Sequence, residues 1–326
     1  MPDVSVSIVS YENESCIDSL MSDLRAQKGV SWEAFVFDNA SSDNTIRRLS
    51  KATDVRVVAS PANVGYSAAH NRNIAASSGR YVLLLNADVR FAPGLLARLV
   101  SHLDAHPAQG LAGPTVLEGN GRQHFPPRYY YPGEGMIELE LEPGLRRSEI
   151  AWLNGCCLMA RRDVLEELDG FDEDFFLYQA ETDLCLRARR ARHSLGWVPE
   201  VSVHHLHRQS QRDVSEYEYS CRLFEGSSVF WRKHYSSRDV ARMARFQTLM
   251  STSVLPLYGP LSFLGVLPPT LSRDRLRARR DVCRRLLSSF PKNDTGHSTF
   301  GSRIASRQSR LALEWMRQRR FPIDDY

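Results

Sequence analysis

Three short stretches in the first ninety residues combine polar residue types with a spacing that can do chemistry, and each directly follows an apolar run or opens a helical pattern. The first is Val36-Phe37-Asp38-Asn39-Ala40-Ser41-Ser42-Asp43-Asn44-Thr45, which sets a carboxylate at the end of a β-branched run and small capping residues after it. Such a carboxylate can accept hydrogen bonds from a nucleobase or a ribose, and the same residues also serve ordinary turns and helix caps. The second is Asn63-Val64-Gly65-Tyr66-Ser67-Ala68-Ala69-His70-Asn71-Arg72-Asn73. A glycine ahead of a helix whose first turn is small lets a nucleotide approach the backbone closely. The third, Leu83-Leu84-Leu85-Asn86-Ala87-Asp88, ends an apolar strand in an acidic turn. Asp88 there suits a hard divalent cation that keeps several waters and also binds phosphate oxygens.

The elements that must position these groups alternate. Strands are expected at Val4 to Val9, Trp32 to Phe37, Val55 to Ala59 and Tyr81 to Leu85, with helices at Glu14 to Ala26, Ser42 to Ser50 (capped by Ser41 or Ser42) and Ser67 to Ser77. This is the α/β pattern of a mostly parallel sheet flanked by helices. Ser10-Tyr11, Asp38-Asn39 and Asn86-Ala87-Asp88 then fall just past the carboxyl ends of strands, where open α/β sheets bind ligands. From Gly119 to Ser148 the chain turns rich in Pro, Gly, Tyr and Glu and reads as a long loop or flap, in which Tyr129, Tyr130 and Tyr131 either stack on a sugar or pack. Order is expected again at Trp152 to Ala160, in helices from Arg162 to Leu168 and from Glu181 to Arg192, and in a strand from Trp197 to His204.

Taken in order, the three clusters resemble the family 2 glycosyltransferases of GT-A (Rossmann-like) fold, and the likeness continues downstream. Trp152-Leu153-Asn154-Gly155-Cys156-Cys157-Leu158-Met159-Ala160-Arg161-Arg162 is similar to the family's glycine-containing strand before a helix. Gly170-Phe171-Asp172-Glu173-Asp174-Phe175-Phe176-Leu177-Tyr178 with Glu181-Thr182-Asp183-Leu184-Cys185-Leu186-Arg187 resembles its acidic motif, and His205 with Ser210 its late His-to-Ser element. The resemblance covers residues 4 to 235 and looks closest to rhamnosyltransferase-like members that build bacterial surface polysaccharides. It implies an inverting transferase that moves a sugar from a nucleoside-diphosphate donor to a hydroxyl of a glycan or lipid-linked glycan.

The resemblance also implies roles. Ser10, Tyr11, Asp38, Asn39, Asn63, Gly65, Asn71, Asn86 and Ala87 would bind the donor, with Asp38 on the base. Asp88 and His205 would hold Mg2+ or Mn2+, and Asn154, Gly155 and Tyr178 would contact the acceptor. Glu181 would be the general base, with Asp183 in reserve. Two positions depart from the family pattern: Asn86 stands where the first acid of Asp-x-Asp is usual, and Ala180 where an acid often precedes Glu181. They motivate an alternative, a catalytically silent nucleotide-sugar-binding module.

The 326 residues carry a net charge of +4, yet residues 271 to 320 hold fourteen Arg/Lys against four Asp/Glu, which leaves the remainder net acidic. Residues 1–235 are therefore read as the transferase domain and 236–326 as a helical, basic C-terminal extension. Within it, Leu276, Cys283, Leu286, Leu287 and Phe290 sit at helical spacing among arginines, either as a membrane-surface helix or as one docked on the protein's own core. The apolar stretch 249 to 271 is broken by Pro256, Gly259, Pro260, Gly265, Pro268 and Pro269, so a surface-lying or re-entrant element is expected, not a spanning helix. Six cysteines without a CxxC pair read as reduced thiols, and no leader precedes the first strand, so a cytoplasmic enzyme, peripheral on the inner face of the plasma membrane, is expected. Nucleic-acid binding is disfavoured because the basic tail lacks interleaved aromatic platforms. A dinucleotide-dependent oxidoreductase is disfavoured because no GxGxxG follows the first strand.

Overall fold

The computed structural model describes residues 1–118, 121, 123–125, 131–132, 149–206, 214–263, 267 and 271–290, without the side chains of 118, 123–125 and 263. Most of the expected flap with Tyr129 and Tyr130, Ser210 of the His-to-Ser element, and residues 291–326 lie outside the described residues. These fall into two units, one before Val214 (apart from Pro132) and one from Val214 onward.

In the first unit β1 (Val4–Ser10) is covered on both faces: Val4, Val6 and Ile8 are fully buried, and so are Ser5 and Ser7. Continuous burial is what an internal parallel strand requires. Helix α1 (Ile17–Arg25) lays Ile17, Leu20, Met21 and Leu24 on the core, a stripe at i, i+3, i+4, i+7. It leads to β2 (Trp32–Asp38), α2 (Thr45–Leu49), β3 (Arg56–Ala59), α3 (Tyr66–Ala76) and β4 (Tyr81–Asn86). Helix α2 starts three residues later than expected, because Ser41 and Ser42 turn their hydroxyls to Asp38 and Glu12 and do not cap it. Then follow β5 (Val89–Phe91), α4 (Leu95–Ala105), β6 (Gln109–Glu118), β7 (Gln123–Phe125), β8 (Cys157–Arg161), α5 (Arg162–Glu167), α6 (Ala180–Arg190) and β9 (Ser194–His205).

The sheet runs β3-β2-β1-β4-β8-β6-β9-β5, with β7 on β6. Its first four strands form the expected parallel ladder. From β4 onward it is mixed, with β8 antiparallel to both β4 and β6, and β9 parallel to β6. Strand β6 carried no strand signal because Gly110, Gly113 and Pro114 interrupt it; its pairing with β9 shifts register between Pro114 and Thr115, where proline supplies no N–H.

The second unit is helical. Ser215 opens α7 (Glu216–His234) with a capping box to Glu218, Ser236 caps α8 (Ser237–Val254), and Ser272 caps α10 (Arg273–Ser288). Between α8 and α10 the proline-broken stretch forms a 3-10 turn, Leu255–Leu257, and α9 (Tyr258–Phe263). Of the two readings of the basic helix, docking on the protein's own core describes α10: Ala278 and Val282 pack with Phe224 of α7, and Leu276 with Leu267 and Leu271. Because α7 lends that apolar face its partner, it groups with the helices after it, in the unit that begins at Val214. No described helix is long and apolar enough to cross a membrane.

Candidate active site

The register of the parallel ladder brings the strand tips together: Ser10 lies opposite Asp38, and Val9 opposite Asn86. Asp38, 1% exposed, accepts hydrogen bonds from the Ser10 hydroxyl (2.8 Å), the Ser41 hydroxyl (2.6 Å) and the Ser41 N–H (2.9 Å). Asn39 donates its backbone N–H to Ser10 O, its amide Nδ2 to Gly65 O, and accepts the Val64 N–H on Oδ1. Asn63 Oδ1 accepts the Gly65 N–H at 3.0 Å, and Tyr11 donates its N–H to Asn13 Oδ1. The β2 tip therefore holds the 63–65 turn, which opens α3. Gly65 has φ +87°, and a Cβ there would meet the Phe176 carbonyl at 2.7 Å, so only glycine fits.

Helix α3 also carries the acidic turn. Tyr66 N–H donates to Phe176 O (2.7 Å) and the Ser67 hydroxyl to Phe175 O (2.6 Å). Asn71, expected on the donor, holds the acidic turn: its Oδ1 accepts the Phe171 N–H (2.8 Å) while its Nδ2 donates to Phe171 O (2.9 Å) and Glu173 (3.1 Å). Its amide is spent on holding the turn. Ser67 and Tyr66 carried no functional reading, since their partners lie about a hundred residues away in sequence. His70, fully buried, meets the Ser7 hydroxyl through Nδ1 at 2.7 Å, and burial pushes its imidazole down to about 3, so it is neutral near pH 7.

The acidic turn reaches α6 through Tyr178 and Gln179, both at positive φ (+63° and +65°), a conformation that costs non-glycine residues energy and clusters at functional sites. Glu181 follows in the first helical turn, part-buried, with no cation paired to it among the described residues. Burial pushes its carboxyl up to about 7. Its stem lies against Gly155, where a Cβ would come within 3.0 Å of Glu181 Cβ and 3.1 Å of Cγ. Beside it Asn154 Oδ1 accepts the Cys156 N–H at 2.8 Å, and Cys156 lies within electrostatic reach of both Glu181 and Asp88. Tyr178 is part-buried one residue before Gln179, while Ala180 is 1% exposed. Asp183, the reserve base, is fully buried and bonds Arg187 Nε at 2.7 Å, while Arg187 also donates to the Leu168 and Gly170 carbonyls. That ion pair fastens α6 to the preceding turn and leaves no carboxylate face for an acceptor.

At the β4 tip, β5 pairs Val89 with His205 of β9, and Leu206 N–H donates to Asp88 O. His205 Nε2 stands 3.2 Å from Asp88 Oδ1 and 3.5 Å from Asn86 Nδ2, with Ala87 buried between the two tip residues. Two cis ligands of a divalent cation with bonds of about 2.1 Å lie about 3.0 Å apart, so the Asp88–His205 spacing fits such an ion. The Asn86 amide, turned over, presents an oxygen to the same point. No group of three or more His, Cys, Asp or Glu surrounds one point among the described residues, so water and diphosphate oxygens would complete the coordination.

The comparisons bear on what this arrangement is. A family model, "Glycosyl transferase family 2", matches residues 5–169. A curated relative, the N-acetylglucosaminyl-diphospho-decaprenol L-rhamnosyltransferase of Mycobacterium tuberculosis, is 26% identical over 242 residues, 65% of this chain and 79% of its own. Among solved structures, S. aureus TarS 1-349 in complex with UDP-GlcNAc is similar at TM-score 0.54 and 17% identity, covering 88% of this chain and 91% of that one. The mannosyltransferase PcManGT of Pyrobaculum calidifontis, in complex with GDP-Man and Mn2+, is similar at TM-score 0.50 and 18% identity over 96% of this chain and 81% of that one. With a family model over half of its length and these folds beside it, the chain belongs to glycosyl transferase family 2 and has the GT-A fold.

Proposed function

We propose that this glycosyltransferase inverts the anomeric carbon of a nucleoside-diphosphate sugar, a rhamnosyl donor by its likeness to the mycobacterial relative, and transfers the sugar to a hydroxyl of a glycan or lipid-linked glycan. The observation that carries the reading is Glu181: a carboxylate raised to about 7 by burial, unpaired by any described cation, on the strained entry to α6 and within electrostatic reach of the same thiol as Asp88. A general base works best with such a value near the operating pH. Glu181 takes the proton of the acceptor hydroxyl as that oxygen bonds to the anomeric carbon. The bond from that carbon to the diphosphate oxygen breaks on the opposite face, and the nucleoside diphosphate leaves with the electron pair.

Asp88 and His205, with Asn86 beside them, would hold Mg2+ or Mn2+, which supplies positive charge to the departing diphosphate. Asn63 and Gly65 shape the turn beside the diphosphate, and Ser10, Tyr11, Asp38 and Asn39 frame the nucleoside side. Asn154, Gly155 and Tyr178 flank Glu181 on the acceptor side. If the acceptor is lipid-linked, the exposed arginines of α10, Arg273, Arg277 and Arg284, together with the basic residues after 290, would attach the protein electrostatically to the inner face of the plasma membrane.

The test is donor hydrolysis and transfer across a panel of nucleotide sugars with Mg2+ or Mn2+ and then chelator, comparing the parent with Asp88→Ala and Glu181→Ala. Metal-dependent release of nucleoside diphosphate from one donor, lost in both variants, supports the reading. Donor binding without turnover for every sugar and acceptor supplied would move the silent binding module, motivated by Asn86 and Ala180, ahead of it. Membrane attachment is tested by salt-sensitive binding to anionic vesicles with and without residues 291–326, a truncation that leaves the α7–α10 packing in place.

A further inference from the structure

Resting on the reading of Glu181 as the base, we propose that Tyr66 is its positioning residue, acting through Gly155. Two side chains converge on one point, the place where a side chain at position 155 would stand. A Cβ there would lie 3.0 Å from Glu181 Cβ, 3.1 Å from Glu181 Cγ and 3.2 Å from the Tyr66 hydroxyl. That hydroxyl donates to the Gly155 carbonyl at 3.0 Å and so pins the peptide on which the Glu181 stem rests. Gly155 has no unusual φ, so what it gives is space and not backbone freedom.

Tyr66 is itself held on three sides. Its N–H donates to Phe176 O at 2.7 Å, its ring meets the His70 ring edge-on at 4.3 Å, and Phe171 lies at 5.6 Å. His70 in turn bonds Ser7 of β1, so a continuous run of contacts leads from the central sheet to the carboxylate. The titratable groups electrostatically coupled to that carboxylate are Tyr66 on α3, Cys156 before β8 and Cys185 on α6. Burial pushes the Tyr66 hydroxyl and the Cys156 thiol well up and the Cys185 thiol up to about 12, so all three are neutral near pH 7. Asp183, two residues on, is turned to Arg187. Among the described residues no cation is paired with Glu181, so what governs it there is its burial and the fixed peptide at 155.

Tyr66→Phe removes the hydroxyl and keeps the ring. The Gly155 carbonyl loses its donor, water takes that place, and the carboxylate becomes better solvated. The experiment is the pH profile of kcat for parent, Tyr66→Phe, Gly155→Ala and Glu181→Ala, with donor KM measured alongside. Expected are an acid limb displaced downward by about one pH unit and a kcat about tenfold lower in Tyr66→Phe, with donor KM within about twofold. Gly155→Ala keeps the hydroxyl but pushes on the Glu181 stem, and is expected to lower kcat at unchanged donor KM. Turnover retained in Glu181→Ala would overturn the base reading and this inference with it. An inactive Glu181→Ala beside a parental acid limb in Tyr66→Phe would overturn this inference alone. Should Tyr66→Phe fail to fold, a parental kcat in Gly155→Ala overturns it equally.

Discussion

The tip of β2 and the first turn of α6 each hold a carboxylate withdrawn from solvent, Asp38 and Glu181, and they are built in opposite ways. Asp38 is surrounded by donors: two serine hydroxyls and a backbone N–H converge on it, and the adjacent Asn39 spreads the same bonding to the 63–65 turn. Glu181 has no cation and no donor side chain bonded to it among the described residues, and is raised to about 7 by burial. A carboxylate saturated by its own chain serves as a joint. One left under-bonded in a dry place is poised to exchange a proton. Asp183 sharpens the contrast, since it lies only two residues from Glu181 and yet belongs with Asp38, closed off by Arg187.

The largest expected effect is on Glu181 itself. Glu181→Gln should lower kcat by about 10²- to 10⁴-fold, the usual worth of a positioned base. The same substitution should raise stability at pH 8 by up to about 3 kcal/mol, because a group whose folded value is raised from 4.5 to about 7 loses its stabilising contribution as pH climbs between those values. Denaturant titrations of parent and variant at pH 5 and pH 8 check it; a gap that does not widen with pH would break the contrast with Asp38.

Next comes Asp183→Asn, which leaves Arg187 with a buried, half-satisfied charge and should cost about 3–5 kcal/mol. Specific activity of the molecules that remain folded should be retained, and an activity loss without a stability loss would return Asp183 to the catalytic set. A smaller effect belongs to His70. Its folded value is depressed from 6.5 to about 3, so its contribution is present above pH 6.5 and is lost as pH falls, by about 1.4 kcal/mol per unit. His70→Asn should flatten that slope in acid denaturation followed by circular dichroism. The smallest is Ser41→Ala, which removes one of the three donors to Asp38 and should cost about 0.5–1.5 kcal/mol with a modest rise in donor KM. A loss of kcat at constant KM would place Asp38 nearer the chemistry than its bonding suggests.

The sequence by itself determined the parallel half of the sheet, because β1 to β4 alternate with helices at spacings that local periodicity reports directly. It also located the three strand-tip clusters, since a ladder of parallel strands must bring its carboxyl ends to one edge. The order of the motifs around them singled out Glu181 and Asp88 as candidates. The mixed half of the sheet was not, because Gly110, Gly113 and Pro114 mask the period of β6 and its partners lie far along the chain. Only the tertiary structure decided which carboxylate is bonded by its own chain and which is not. Asp38, Asp183 and Glu181 are alike in sequence, and what separates them is the donors the folded chain turns toward each: Ser10 and Ser41 for Asp38, Arg187 for Asp183, and no side chain among the described residues for Glu181. The same holds for Asn71, whose amide is bonded to Phe171 and Glu173, and for the basic helix α10, whose apolar face is settled by the packing of Phe224, Ala278 and Val282. Periodicity states which residues must be buried, and only the fold states against what.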